Sequence, residues 1–150
     1  MIVYRITLAR YADALLASGN AARWNSKDVK VIYTAATRAL ACLENVVHRS
    51  SRGLEGPFRT VIIEIPSSVF VQSIAPATLT PDWKDYVRMP YTQHIGDAWV
   101  AAGTSAVLQV PSAIVPEEFN YILNPGHADF ARIKHLRVEP FAFDPWLKND

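Results

Sequence analysis

The sequence predicts a compact α+β domain built on a mixed sheet. Three observations carry that prediction: alternating apolar residues near the amino terminus, a strand running straight into a ten-residue helical pattern, and further strands separated by short helices. In VYRITL, Tyr4 and Ile6 share one face while Val3, Arg5 and Thr7 share the other, which is the period of a strand. ADALLASG has the composition of a short helix, and SGNAARWNSKD is rich enough in small and polar residues to read as a loop. VKVIYTA is a strand on its β-branched and aromatic content, with Val29, Val31 and Tyr33 on one face.

A helix follows, capped by Thr34 or Thr37 and reaching about His48 or Arg49. Within ALACLENVVH, Leu40, Leu43 and Val47 make an apolar stripe, and Arg38, Asn45 and Arg49 gather opposite it. Glu44 falls at the border of that stripe. An ionised carboxylate there needs cationic or hydrogen-bonding company, or else a raised pKa. RSSRGLEGP is a turn-rich exit, and RTVIIEIP, apolar on both faces, reads as a central strand. PDWKDYVRM and HIGDAWVAAG read as short helices separated by Pro90. SAVLQVP is a strand stopped by Pro111, SAIVPEEFNYILNPGHADF is an irregular stretch, and HLRVEPFAF returns as a late strand.

With 150 residues, half of them hydrophobic and 19% charged, the chain encloses a core as one domain without staples. The net charge of +1 provides no global field for nucleic acid or an acidic membrane, so any anion site must be local. Cys42 is the single cysteine, which excludes an internal disulfide and a cysteine cluster for zinc. MIVYRITLAR lacks the apolar region of a signal peptide and no segment is apolar for long enough to span a bilayer, so a cytoplasmic location is expected. Neither GxGxxG nor GxxxxGK[ST] occurs, GxSxG is absent around Ser105, and His48, His94, His127 and His135 form no HExxH pair. No metal site is expected.

The candidates for chemistry are cations, hydroxyls and amides around Glu44. Arg5 and Arg23 offer planar paired donors that match phosphate oxygens, although by pattern alone a strand or loop arginine more often snorkels to water. Tyr33 ends a strand just before the helix, where its ring either packs in the core or emerges to stack on a flat heterocycle. Ser112 follows Pro111 at a strand end, where a serine either caps a turn or orients a carboxylate. Asn120 and Asn124 either bind sugar hydroxyls or satisfy nearby backbone. Glu117 and Glu118 read as a solvated pair.

Taken in order, YRIT, ARWNSKDVKVIYTA, ALACLENVVH, GDAWV, VLQVPSAIVPEEFNYILNP and PFAFDPWL resemble the RES domain family, bacterial toxins commonly paired with an Xre-type antitoxin. The similarity spans almost all of residues 1–150 and matches the arginine, glutamate and serine of the family's name to Arg5, Glu44 and Ser112. It implies a fold resembling ADP-ribosyltransferases and an enzyme that cuts the bond between nicotinamide and ribose in NAD. NAD would be substrate rather than cofactor, with water or inorganic phosphate as acceptor. The alternatives are transfer of ADP-ribose to a protein and a catalytically silent antitoxin-binding module. The resemblance implies catalytic roles for Glu44, Arg5 and Ser112, and NAD-binding roles for Arg23, Tyr33 and Asn120. It further implies a homodimer and an Xre-type partner. Two departures stand out: Ala21 and Ala22 replace glycines common before the RW pair, and Trp146 stands where arginine is common. Alanine would restrict positive backbone torsions in the proposed phosphate loop.

Overall fold

The computed structural model describes residues 1–149. Its seven strands are β1 (Ile2–Leu8), β2 (Ile32–Ala35), β3 (Phe58–Glu64), β4 (Val71–Ser73), β5 (Val107–Pro111), β6 (Phe119–Leu123) and β7 (Lys134–Phe141). They form one sheet in the order β4-β5-β6-β2-β1-β3-β7, antiparallel throughout except for the parallel pair β4 and β5. Two helices accompany them, α1 (Arg38–His48) and α2 (Met89–Ala102). This is the mixed-sheet α+β class that the patterning predicts.

The sheet is not uniformly knit. β1 and β3 pair along their whole length, from Ile2 with Glu64 to Leu8 with Phe58. β2 pairs with β6 from Ile32 with Leu123 to Ala35 with Asn120. Between β1 and β2, however, a single register pair remains, Tyr4 with Ala35. The β4-β5-β6-β2 and β1-β3-β7 halves therefore meet at one rung and part beyond it.

Both helices lie on one face of the sheet. Ile6, Ala35, Leu40, Ala41 and Phe58 form an apolar cluster that seats α1 on β1, β2 and β3, across the seam. Trp24, Trp83 and Trp99 pack with Leu108, Val110 and Ile122, which seats α2 on the β5-β6 half. The opposite face buries Val3, Ile32, Val61, Ile63, Val107 and Leu123. Period-two alternation along each strand assigns residues to one cluster or the other.

Four local expectations change. ADALLASG does not form a helix: a 3-10 turn covers Ala9–Tyr11, and Ala12, Leu15 and Ala17 feed the core from irregular chain, where tertiary burial overrides helix propensity. Pro90 does not separate two helices. It occupies the first turn of α2, where a missing N–H costs nothing, and residues 89–102 continue as one helix. β6 arises inside the stretch read as irregular, because its FNYIL alternation is short and flanked by turn residues. β4, a three-residue edge strand, has too little pattern to be seen. β3 has partners on both sides, as its apolar run predicts.

Thr37 caps α1, its Oγ1 accepting from Leu40 N at 3.0 Å, which satisfies one of the orphan donors of the first turn. Thr37→Ala is expected to lower stability by about 1 kcal/mol, read as a lower urea midpoint with an unchanged m-value.

Candidate active site

α1 does not present the stripe that its sequence suggests. Leu43 and Val47 face outward, 36% and 52% exposed, while Leu40, Ala41, Glu44 and Asn45 turn toward the sheet. Glu44 thus sits on the inward face over the seam rather than at its border. Asn45 donates to Ile6 O at 3.2 Å and to Ala41 O at 3.0 Å, tying the helix to β1.

The Glu44 carboxylate is held by three side chains from three directions. Asn120, on β6, donates its Nδ2 to Oε1 at 2.7 Å, and Ser112 donates its hydroxyl to the same oxygen at 3.1 Å. His48, one turn along α1, places Nε2 3.5 Å from Oε2. The Ser112 hydroxyl itself accepts from Ile114 N and Val115 N, each at 3.1 Å, which leaves its hydrogen aimed at Glu44. Burial pushes the Glu44 pKa up. The bonds from His48, Asn120 and Ser112 outweigh that burial and hold it below the usual glutamate value. The group is an anion at neutral pH.

Around it opens a cleft of about 770 Å³, within the range of small-molecule binding sites. Its walls bring together Arg5, Arg23, Tyr33, Glu44, His48 and Asn120. Residues of both sheet faces contribute, Tyr4 and Ile6 from one and Arg5 and Thr7 from the other, so the cleft runs through the seam. Arg5 makes no hydrogen bond or ion pair with any described residue, and burial lowers its pKa from the ordinary guanidinium value. Arg23 is similarly lowered by burial, with Glu44 and Tyr33 acting in the opposite direction. One Arg23 nitrogen donates to Trp83 O at 3.4 Å, and the guanidinium lies 5.9 Å from the Trp83 ring centre. Lys84 and Arg49 add positive charge to the same walls.

Tyr33 lines this cleft with its hydroxyl already engaged, donating to Asn25 Oδ1 at 2.6 Å and accepting from Trp24 N at 3.0 Å. Burial drives its pKa well above the ordinary phenol value. Only its ring is offered to a ligand. Ser112 is fully enclosed, 0% exposed, and does not line the cleft; it acts on Glu44 and is out of reach of a ligand. Asn120 lines the cleft, whereas Asn124 is buried elsewhere and shapes a turn through Gly126 N. Ala21 and Ala22 fit their loop without strain, since Asp28, at φ 69°, is the non-glycine residue with positive φ among those described. Trp146 lies out in solvent.

Sequence patterning alone passes over His48, Lys84, Arg49 and Asn25. The i,i+4 spacing of Glu44 and His48 is the one visible signal among them. Among the described residues, no group of three or more histidine, cysteine or acidic side chains is placed to hold a metal ion, and no helix is long and apolar enough to cross a membrane.

Comparison with known proteins agrees with this architecture. The Prs ADP-ribosylating toxin of Sphingobium sp. (strain YBL2) is 38% identical over 139 residues, covering 89% of this chain and 86% of that protein. The Toxin Res of Yersinia enterocolitica serotype O:8 / biotype 1B is 34% identical over 153 residues, covering 99% and 100%. The Toxin Res of Photorhabdus laumondii is 36% identical over 152 residues, covering 98% and 97%. A chain of the M. tuberculosis MbcT-MbcA toxin-antitoxin complex superposes with a TM-score of 0.75 at 20% identity, covering 97% of this chain and 85% of that one, a likeness of fold. The RES domain profile matches residues 2–144. On that match and those relatives, the chain belongs to the RES domain family.

Proposed function

We propose that this protein is a toxin that degrades NAD by cleaving the bond between nicotinamide and ribose, with water or phosphate as acceptor. The observation that carries the reading is Arg5: a guanidinium sunk into the cleft wall, with no protein anion to neutralise it, beside a carboxylate held ionised by three donors. Such a pairing suits a ligand with anionic phosphates at one place and developing positive charge at another.

The chemistry follows from those charges. As neutral nicotinamide departs, the ribose takes on oxocarbenium character, and a fixed carboxylate stabilises that charge more in the transition state than in the ground state. Glu44 supplies the carboxylate, either toward the ribose hydroxyls or toward the acceptor. Arg5 and Arg23 bind the phosphates, and the Tyr33 ring faces the nicotinamide region. Asn120 borders the ribose while orienting Glu44, and Ser112 orients Glu44 from behind. In this reading residues 1–150 form one NAD-consuming domain with an ADP-ribosyltransferase-like fold, acting in the cytoplasm and restrained by an Xre-type antitoxin, with a homodimer as its resting assembly. A second reading, transfer of ADP-ribose to a protein, is favoured by the name of the Sphingobium relative. The silent-module reading loses its main support, because Ala21 and Ala22 occupy backbone conformations open to any residue.

Incubating purified protein with NAD, with and without phosphate, and identifying products by mass separates hydrolysis from phosphorolysis; label retained on an added protein would signal transfer. Glu44→Gln, nearly isosteric and uncharged, is expected to reduce NAD loss by about 100-fold or more while its circular dichroism spectrum stays that of the parent. Full turnover in that variant would remove Glu44 from the chemistry. A second expectation concerns protonation. Asn120→Leu deletes a donor to Glu44 while keeping the site enclosed, so the carboxyl pKa rises and the acid limb of NAD consumption moves to higher pH. Because the folded-state pKa is depressed, the associated stability is present above the unfolded glutamate pKa and is lost as pH falls through the folded value. The stability gap between parent and Asn120→Leu should therefore be widest near neutrality and shrink in acid, as measured by urea titration at several pH values.

A further inference from the structure

The segment that carries Arg23 is irregular, yet a phosphate-binding guanidinium needs a fixed origin. Within residues 22–25 the backbone closes one isolated bridge, with Ala22 N donating to Asn25 O at 3.0 Å and Asn25 N to Ala22 O at 3.4 Å. The Arg23 side chain adds one bond of 3.4 Å, to Trp83 O.

The Asn25 amide adds bonds to Asn20 O, Ser26 O and Val29 O, and the Tyr33 hydroxyl accepts from Trp24 N; the backbone at Ala22, Arg23 and Ser26 is gripped by one face of α2. Thr92 donates its hydroxyl to Arg23 O at 2.6 Å, and Gln93 donates Nε2 to Ala22 O at 2.9 Å. One turn on, Asp97 accepts from Ser26 N at 2.9 Å and from the Ser26 hydroxyl at 2.5 Å. Between these grips Gly96 touches the loop directly: a Cβ there would stand 1.7 Å from Trp24 O. Positions 92, 93, 96 and 97 share a helix face by their spacing, so successive backbone units from Ala22 to Ser26 lie along α2 like a cord in a groove. None of the four lines the cleft. Glu44, by contrast, is set by α1, Ser112 and Asn120, and α2 supplies none of its hydrogen bonds.

We infer that α2 is the positioning element for Arg23, with Gln93, Gly96 and Asp97 acting on substrate binding through the loop and leaving the Glu44 chemistry alone. This rests on the reading that the cleft binds NAD. It assigns to residues far from the reacting bond a role in affinity, and it accounts for glycine at 96, where any side chain would push Trp24 and its neighbour Arg23 out of place.

The test compares Asp97→Ala, Asp97→Asn and Gln93→Ala with the parent in NAD-consumption kinetics, thermal midpoint and peptide-resolved hydrogen exchange. A displacement of about 1 Å in a binding group costs on the order of tenfold to a hundredfold. Asp97→Ala is expected to raise KM by about tenfold or more with kcat within about twofold, and to speed exchange in residues 19–28 while α1 and β6 keep parental exchange. Asp97→Asn should stay near the parent, because an amide can accept from Ser26 N and donate to the Ser26 hydroxyl. Parental KM in Asp97→Ala, a fall confined to kcat, or Asp97→Asn behaving like Asp97→Ala would each overturn the inference. Gln93→Ala removes one bond only and decides by the same criteria if Asp97→Ala fails to fold. A parent that consumes no NAD defeats the functional reading separately; the exchange comparison then still decides whether α2 fixes the loop.

Discussion

Between β1 and β2 the sheet keeps a single rung, Tyr4 with Ala35, and the cleft exists because the ladder stops there. Backbone groups that leave a ladder must find other partners. Asn45 answers part of that demand from α1 by donating to Ile6 O. α1 is thereby pinned over the opening by the same rupture that creates it. Its inward face cannot be wholly apolar, because it roofs a gap that is open to a ligand. Glu44, Asn45 and His48 take the positions that leucines would occupy over an unbroken sheet.

The electrostatics follow from this geometry. A carboxylate lowered into a partly dry opening is costly unless donors converge on it, and here a hydroxyl, an amide and an imidazole do. Arg5 is treated in the opposite way, desolvated and left without an acceptor among the described residues. One charge is satisfied by the protein and the other is reserved. That asymmetry separates the cleft from an internal ion pair, in which the two charges would have closed on each other.

Patterns that reach one neighbour were legible in the sequence. Strand alternation located β1, a run apolar on both faces located β3, and two threonines before the helical run, Thr34 and Thr37, included the cap of α1. Features that depend on a third partner were not. The period of α1 groups Leu40, Leu43 and Val47, yet Leu40 alone of the three is buried, because which side of a helix faces inward depends on what lies beneath, and the seam is a property of strand pairing. The prolines and glycine around β6 mask it, and Pro90 resembles a break because the pattern does not mark where the helix starts. At the site, the residue types around Glu44 were identifiable, whereas the burial of Ser112 behind the carboxylate and the grip of α2 on the Arg23 loop arise from segments distant in sequence.

The indole arrangement beside Arg23 has a practical consequence. Trp24 and Trp83 are shielded from solvent with ring centres 5.9 Å apart, Arg23 lies over Trp83, and Trp99 is buried under the same half of the sheet. The fourth indole, Trp146, is exposed far from this group in character. The molecule therefore carries its own optical probe: emission from the shielded pair responds to the guanidinium's electric field, and acrylamide quenches the exposed indole first. Cleft occupancy becomes readable as a spectral change without any attached dye.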